Sequence, residues 1–228
     1  LDAKVSELRE ITDWEKPILI KVGASYVKND AEIITKSGAD IMVIDGAEGG
    51  TGAAPAVAME HLGINTVSAI PAARRSLDIS LQNLYLAVPK NKGNVELNEV
   101  QLIGSGGLWT SDRIVKAMAL GADCVGNASG IMIAMGCNQC QQCHLGKCTK
   151  GIATQIPELE EKLNKKEAKE KIKNYIYSLY DEIKKLNMAA GFYKIGDMTI
   201  ENLRTCDINV SAMTGIKMQG TDIVFGEK

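Results

Sequence analysis

The sequence predicts an α/β fold with parallel strands, and three observations carry that prediction. Short apolar runs alternate with helical stretches in the order strand, helix, strand, helix, strand, helix, strand. Repeated βα units of this kind imply parallel pairing. Glycine-bearing loops follow the strands, where such folds place ligands. Four of the six cysteines then fall within twelve residues, just after the last strand. Four strands make only half of an eight-stranded barrel. Either the first four are absent, or two halves associate, or the sheet is open.

Size and composition set the outer bounds. The chain has 228 residues, enough for one domain or one domain with an appendage. Hydrophobic residues make up 45% and charged residues 24%, an ordinary balance for a folded domain. A net charge of -2 gives no electrostatic case for a nucleic-acid partner or a membrane surface. No uninterrupted apolar run approaches membrane-span length. Leu1-Asp-Ala-Lys-Val5 has no signal-peptide pattern. Thiols in a metal-type motif without a secretory leader are expected in a reducing cytoplasm. Leu1 is not an initiator methionine, so a processed product or a fragment is expected.

Val5, Leu8, Ile11 and Trp14 recur at helical spacing and predict an amphipathic helix within residues 1–16. Ile18-Leu-Ile-Lys21-Val-Gly23 is a short apolar run that fits a buried parallel strand. Lys21 interrupts it. An ammonium inside a strand is costly unless it is paired or snorkels outward. The functional reading is a cation aimed at an anionic ligand. Residues 29–39 predict a helix, capped by Asn29 or Asp30 and ended by Gly38.

Ile41-Met-Val-Ile44 is the second strand. It runs into Asp45-Gly46-Ala-Glu-Gly49-Gly50-Thr51-Gly52-Ala-Ala-Pro55. Glycines let the backbone approach a ligand closely and present N–H groups to anions. The alternative is an ordinary flexible turn. This loop is not a nucleotide-binding P-loop. Residues 55–62 read as helical, Thr66-Val-Ser-Ala-Ile70 follows, and residues 72–87 predict a helix with Leu77, Leu81, Leu84 and Leu86 inward. Arg74 and Arg75 are assigned to solvent.

Val100-Gln-Leu-Ile103 is the third clear strand, ending in Gly104-Ser105-Gly106-Gly107. Thr110, Ser111 and Asp112 are N-cap candidates for a helix reaching Leu120. Residues 121–129 hold the fourth strand and its exit loop, Gly126-Asn127-Ala128. Cys124 reads as a small core residue. A long charged helix is expected over 158–186, broken near Asn164 and Asn174. Ile172, Ile176, Leu179, Ile183 and Leu186 form its packing stripe. A short helix over 200–204 and a loosely ordered segment over 210–228 complete the chain. Cys206 stands alone.

The cysteine stretch reads Cys137-Asn-Gln-Cys140-Gln-Gln-Cys143-His144-Leu-Gly-Lys-Cys148. Thiolates at this spacing can aim at one centre from a turning loop, the requirement for soft-ligand metal binding. An iron–sulfur cluster takes three or four convergent cysteines. A structural zinc normally separates its ligand pairs by a longer segment. A disulfide pair would not account for the crowding. His144 is expected to be solvated rather than a ligand.

Four passages, taken together and in order, resemble the FMN-binding synthase domain of the glutamate synthase large subunit and its compact archaeal-type relatives. They are Lys21 in its strand, the Asp45–Pro55 loop, Gly104-Ser-Gly-Gly-Leu-Trp-Thr110 with Gly121-Ala-Asp, and Gly136-Cys-x5-Cys143-His-Leu-x2-Cys148-x2-Gly-Ile-Ala-Thr-Gln155. The likeness covers about residues 15–205. It implies a (β/α)8 TIM barrel, of which about the last four βα units are present, with FMN at the strand C-termini beside an iron–sulfur cluster. The organisation implied is a barrel half with its cysteine loop over 1–150 and a helical extension over 151–228 packed on the barrel.

The resemblance also implies chemistry. Ammonia condenses with 2-oxoglutarate to 2-iminoglutarate, and reduced FMN delivers hydride to give L-glutamate. Electrons arrive through a [3Fe–4S] cluster from ferredoxin or an NADPH-dependent reductase subunit. On this mapping Lys21 lies by the flavin ring and is the candidate catalytic residue. Asp45, Gly46, Gly49, Gly50, Thr51 and Gly52 line the flavin and substrate face. Ser105, Gly106 and Gly107, with Gly126, Asn127 and Ala128, match the phosphate-cradling turns, whose N–H groups would hold a dianion.

Cys137, Cys143 and Cys148 match the three cluster ligands of the family. Cys140 departs from that pattern. It either completes a [4Fe–4S] cluster, the preferred reading, or stands by. Nothing in the chain matches the family's glutaminase, so ammonia is expected from a glutaminase domain or subunit. An oligomer is expected. The rival readings are an N-methylglutamate synthase-type subunit, a non-catalytic electron-transfer or scaffold piece, and a zinc-stabilised α/β domain.

Overall fold

The computed structural model describes residues 1–50, 55–87 and 99–226. Its centre is a four-stranded parallel sheet in the order β1-β2-β3-β4. The strands are β1 (Leu19–Gly23), β2 (Ile41–Asp45), β3 (Gln101–Ser105) and β4 (Cys124–Val125). Each strand pairs in parallel with the next one along the chain. The connections carry α2 (Val27–Ser37), α3 (Ala56–His61), α4 (Thr66–Ala87) and α5 (Ser111–Ala119), and α1 (Asp2–Ile11) precedes β1.

Alternation along the strands divides the sheet into two faces. Met42, Ile44 and Leu102 have no exposed surface, and they join Ala31 and Ile34 of α2 and Ala69, Ile70, Ala73 and Leu77 of α4 in one core. Each large apolar side chain so buried contributes ~1.5–3 kcal/mol. The opposite face is uncovered. Lys21, Gln101 and Cys124 are exposed there, and Leu19 is 50% exposed. Cys124 is therefore not a core residue. It stands at the start of β4 on the face that no helix covers.

A Gly-Ala-Asp triplet recurs before two of the strands, at residues 38–40 and 121–123. Asp40 accepts a hydrogen bond from the Ile18 N–H at 2.6 Å, and Asp123 accepts one from the Leu102 N–H at 2.7 Å. Each carboxylate thus ties the start of its strand to the strand before it. Arg9 of α1 completes the first tie, 2.8 Å from Asp40. Burial would raise the Asp40 pKa, but the hydrogen bonds from Arg9 and Ile18 hold it below the ordinary carboxylate range.

Several expectations change. Of the four apolar positions in the first helix only Val5 is buried, and Ile11 and Trp14 are exposed, with Arg9 stacked near the indole. Helix α2 starts at Val27 behind Tyr26, which offers no side-chain cap, and Gly38 ends it in the left-handed region as predicted. Thr66–Ile70 is the first part of α4, which runs through Pro71. Leu77 is buried, but Leu86 points to solvent. Arg74 is a largely buried tether rather than a solvent group, while Arg75 is exposed as expected and also tethers. Arg74 donates to the Val100 carbonyl, and Arg75 donates to the Thr214 and Met213 carbonyls that end a later helix.

Beyond β4 come α6 (Ser129–Ala134), α7 (Pro157–Glu160), α8 (Lys165–Ala189) and α9 (Ile208–Thr214), with a two-stranded sheet of β5 (Arg204–Thr205) and β6 (Lys217–Met218). Asn164 caps α8 by accepting from the Glu167 N–H, so the predicted break lies there, and α8 is unbroken at Asn174. The buried side of α8 carries Ala168, Ile172, Tyr175, Leu179, Ile183 and Asn187, while Ile176 and Leu186 face outward. The stretch 200–204 is a 3-10 turn over Ile200–Asn202 followed by β5. Residues 211–226 are packed rather than loose, with Ile216 in the main core and Ser211 fully buried. No helix of the described residues is long and apolar enough to cross a membrane.

Candidate functional site

The C-terminal ends of the four strands converge on one cleft. It is lined by Lys21, Asp45, Gly49, Gly50, Ser105, Gly106, Gly107, Gly126, Asn127 and Ala128. These residues come from all four strand ends, so the parallel sheet itself gathers them. Thr51 and Gly52 fall outside the described residues. Gly46 lies one step away, its N–H donating to the Ser105 carbonyl at 3.0 Å. A Cβ on Gly46 would run into Thr66, at 2.5 Å from the Thr66 backbone nitrogen.

Lys21 projects from β1 on the uncovered face and pairs with Asp45 at 2.8 Å. Its side chain is 60% exposed, so the cation stays available to an arriving anion. Asp45 is different: its other oxygen, Oδ1, is buried without a partner. A Cβ at Gly49 would overlap that carboxylate, so glycine is required for the loop to fold over it. An orphaned acceptor of this kind suits a ligand N–H or O–H.

The loop after β3 has the densest wiring. The hydroxyl of Thr66, the first residue of α4, lies 2.7 Å from the Gly106 carbonyl and 2.8 Å from the Glu48 carboxylate, and its single proton serves one of them at a time. Glu48 also accepts the Thr66 N–H at 2.9 Å, satisfying a donor at the start of α4. Gly106 and Gly107 take φ values of 101° and 68°, where L side chains are strained. A Cβ on Gly106 would also stand 2.6 Å from the Thr66 hydroxyl and 2.9 Å from the Gly46 nitrogen. Gly126 donates its N–H to the Gly104 carbonyl at 2.8 Å, so it gives the cleft its shape rather than a donor. A close backbone cradle and two orphaned acceptor oxygens, Asp45 Oδ1 and Asn127 Oδ1, fit a phosphate-bearing cofactor with hydroxyl and N–H groups.

The cysteine loop forms a second cavity beside the first. Cys137, Cys140, Cys143 and Cys148 all line it, together with Glu48 and Arg113. The two cavities share Gly107, Trp109, Ser129 and Met132. All six cysteines are free thiols. Burial pushes the Cys143 thiol up, and the nearby Cys137, Cys148 and Cys140 push it further. The Ala153 N–H holds Cys148 down despite burial, helped by the N–H groups of Lys150, Ile152 and Gly151. That nest of donors around a sulfur suits a thiolate ligand. Among the described residues no group of three or more His, Cys, Asp or Glu side chains closes on a single ion position. All four thiols line the cavity, and soft sulfur donors are the ligand type an iron–sulfur cluster takes. His144 is exposed, as expected.

Sequence reasoning missed Glu48, Thr66, Trp109, Met132 and Tyr175. Glu48 and Trp109 sit inside the quoted motifs; Glu48 lies between Gly46 and Gly49, and Trp109 two residues after Gly107, and those positions were the available signal. Tyr175 lies far along the chain on α8, yet its hydroxyl donates to the Trp109 carbonyl at 2.7 Å.

Comparison with known proteins decides the family. A family model described as "Conserved region in glutamate synthase" matches residues 1–193. The chain belongs to the glutamate synthase family. That is a family of oxidoreductase enzymes. The chain is similar to "Archaeal glutamate synthase (NADPH)" of Methanocaldococcus jannaschii, at 38% identity over 95% of this chain and 41% of that protein. It is also similar to the protein of that name in Archaeoglobus fulgidus, at 32% identity over 100% of this chain and 41% of the relative. A "Glutamate synthase large subunit-like protein" of Rhizobium meliloti is 32% identical over 97% of this chain and 50% of its own length. The chain thus spans about two fifths to one half of these relatives. The glutamate synthase region so matched contains the whole cleft and most of the cysteine-bearing half of the molecule.

Proposed function

We propose that this chain is the cofactor-bearing half of a glutamate synthase-type barrel, which reductively aminates 2-oxoglutarate to L-glutamate. One observation carries the reading: the glycine cleft and the four-cysteine cavity share a wall of Gly107, Trp109, Ser129 and Met132. A cofactor in one lies against a cluster in the other, the arrangement electron transfer requires.

When bound, FMN would supply hydride transfer and the iron–sulfur cluster one-electron transfer. The chain's own residues do the rest. The turn at Ser105–Gly107 and the backbone at Asn127 and Ala128 hold the phosphate end. Lys21 places a cation at the open end of the cleft, where it stabilises negative charge on the reduced cofactor or on a dicarboxylate substrate. Asp45 fixes that ammonium and offers Oδ1 as an acceptor. Cys137, Cys143 and Cys148 would hold the cluster, and Cys140, which lines the same cavity, would complete a [4Fe–4S] form.

The uncovered face of the sheet supports the barrel. Leu19, Lys21, Ile41, Val43 and Ile103 lie on the side that would face a barrel interior. The coverage of the relatives leaves ample length for the other four strands. Ammonia would come from a glutaminase domain or subunit. The NADPH in the relatives' names supports a reductase-linked donor rather than ferredoxin. The test is an assay of the intact protein with 2-oxoglutarate, ammonia and a chemically reduced electron donor. Glutamate formation that stops when Lys21 becomes alanine supports the reading. Glutamate formation that is absent in flavin-loaded, cluster-loaded protein sinks it.

A further inference from the structure

Helix α8 lies outside the sheet, and its sequence reads as packing and charge. Its Tyr175 nevertheless backs the cleft wall, bonded to two residues that line it. The Tyr175 hydroxyl is 2.7 Å from the Trp109 carbonyl oxygen and 2.7 Å from the Asn127 side-chain nitrogen. The arithmetic of donors is decisive here. A carbonyl can only accept, so the single phenolic proton goes to Trp109. The Tyr175 oxygen must then accept from Asn127, which turns the amide nitrogen toward α8 and leaves Oδ1 as the free end. Asn127 Oδ1 is buried and has no partner. Gly130 makes room for the whole arrangement, because a Cβ there would overlap the Tyr175 hydroxyl and stand 2.7 Å from Asn127 Oδ1.

One hydroxyl thus joins the loop after β3 to the loop after β4. Both loops line the cofactor cleft, and Trp109 also lines the cysteine cavity. Packing alone does not call for it. Ile172, Leu179 and Ile183 already hold α8 against its neighbours, and a phenylalanine would fill the same space.

We propose that Tyr175 is a positioning residue of the cofactor cleft, fixing the separation of its two phosphate-side loops and the orientation of the Asn127 amide. It follows that the extension carrying α8 is part of the site. The proposal rests on the reading of the cleft as an FMN site.

The test is a titration of FMN into flavin-free intact protein, comparing the original chain with Tyr175→Phe, Asn127→Ala, both together, and Tyr180→Phe. Tyr180 is an exposed residue of the same helix. Tyr175→Phe should weaken FMN binding ~10-fold, the value of one or two lost hydrogen bonds in a wall that must hold its shape. Tyr180→Phe should leave it unchanged. The double variant should be weaker than Asn127→Ala by clearly less than the effect of Tyr175→Phe alone, because the tyrosine acts largely through the amide. Unchanged affinity in Tyr175→Phe, with tight binding in the original chain, overturns the proposal and leaves the FMN reading intact. Failure of the original chain to bind FMN overturns both.

A second measurement needs no variant. Amide hydrogen exchange in the original chain should slow around residue 175 when FMN is added, as well as in the two loops. Protection confined to the loops would overturn the proposal even if Tyr175→Phe does not fold.

Discussion

The cleft and the cysteine loop share a wall but are built on opposite principles. The cleft is made by strand ends, and its left-handed backbone positions are given to glycine, at Gly106 and Gly107. The cysteine loop has left-handed backbone at Gln139 and Gln141, with φ of 55° and 57°, on either side of Cys140. Such residues are strained there by ~1–2 kcal/mol each. The cleft is fastened by Thr66, Glu48, Asn127 and Tyr175. The four thiols of the cysteine loop line one cavity, where burial and the neighbouring cysteines oppose ionisation at Cys143. The cleft is therefore preorganised by the protein alone, and the cysteine loop is an arrangement that a bound cluster would complete.

That contrast can be broken most sharply at Gly106. Gly106→Ala places a Cβ at φ 101° against backbone atoms of Gly46 and the Thr66 hydroxyl. Strain and overpacking together should cost ~3 kcal/mol or more, read as a lower urea midpoint with unchanged slope. Wild-type stability in that variant would mean the cleft is as adaptable as the cysteine loop. Next comes Thr66→Val, which removes the hydroxyl shared by Glu48 and Gly106 at similar shape. A loss of ~1–3 kcal/mol is expected, with weaker flavin binding.

The scaffold under the cleft gives a smaller, pH-dependent effect. The folded-state pKa of Asp40 lies below its ordinary value, so its contribution is present above about pH 4 and fades as pH falls through the folded pKa. Asp40→Asn should cost ~1–2 kcal/mol at neutral pH, and the gap to the original chain should close in acid. A gap that stays constant with pH would remove the carboxylate from the account. The smallest effect is expected in the cysteine loop. Gln141→Gly relieves a left-handed strain while loosening the unfolded chain, so stability should stay within ~1 kcal/mol of the original. A loss as large as that of Gly106→Ala would erase the distinction between the two regions.

Much of this was legible in the sequence because glycine and cysteine clusters are local signals. The strand ends, the glycine loops and the four-cysteine stretch are all continuous in the chain, and the parallel sheet brings them together. What was hidden depends on contacts across the chain. Tyr175 was passed over because Ile176 looked like the better packing residue, although 172, 175 and 179 share a helical face. Thr66–Ile70 looked detached because Pro71 follows it, yet α4 runs through that proline. Cys124 read as core because it sits in an apolar run, and only the uncovered face of the sheet exposes it. Arg74 read as solvated because its carbonyl partner lies 26 residues away.

On the proposed reading the cleft takes FMN and the adjoining loop an iron–sulfur cluster. The most direct measurement is the absorbance spectrum, with flavin and metal content, of intact protein purified without oxygen and incubated with FMN. The account predicts a flavin spectrum with iron and sulfide in matched amounts, both lost together from the loop when Cys143→Ser is made. Protein that takes up no flavin, or that carries zinc in place of iron, would contradict it.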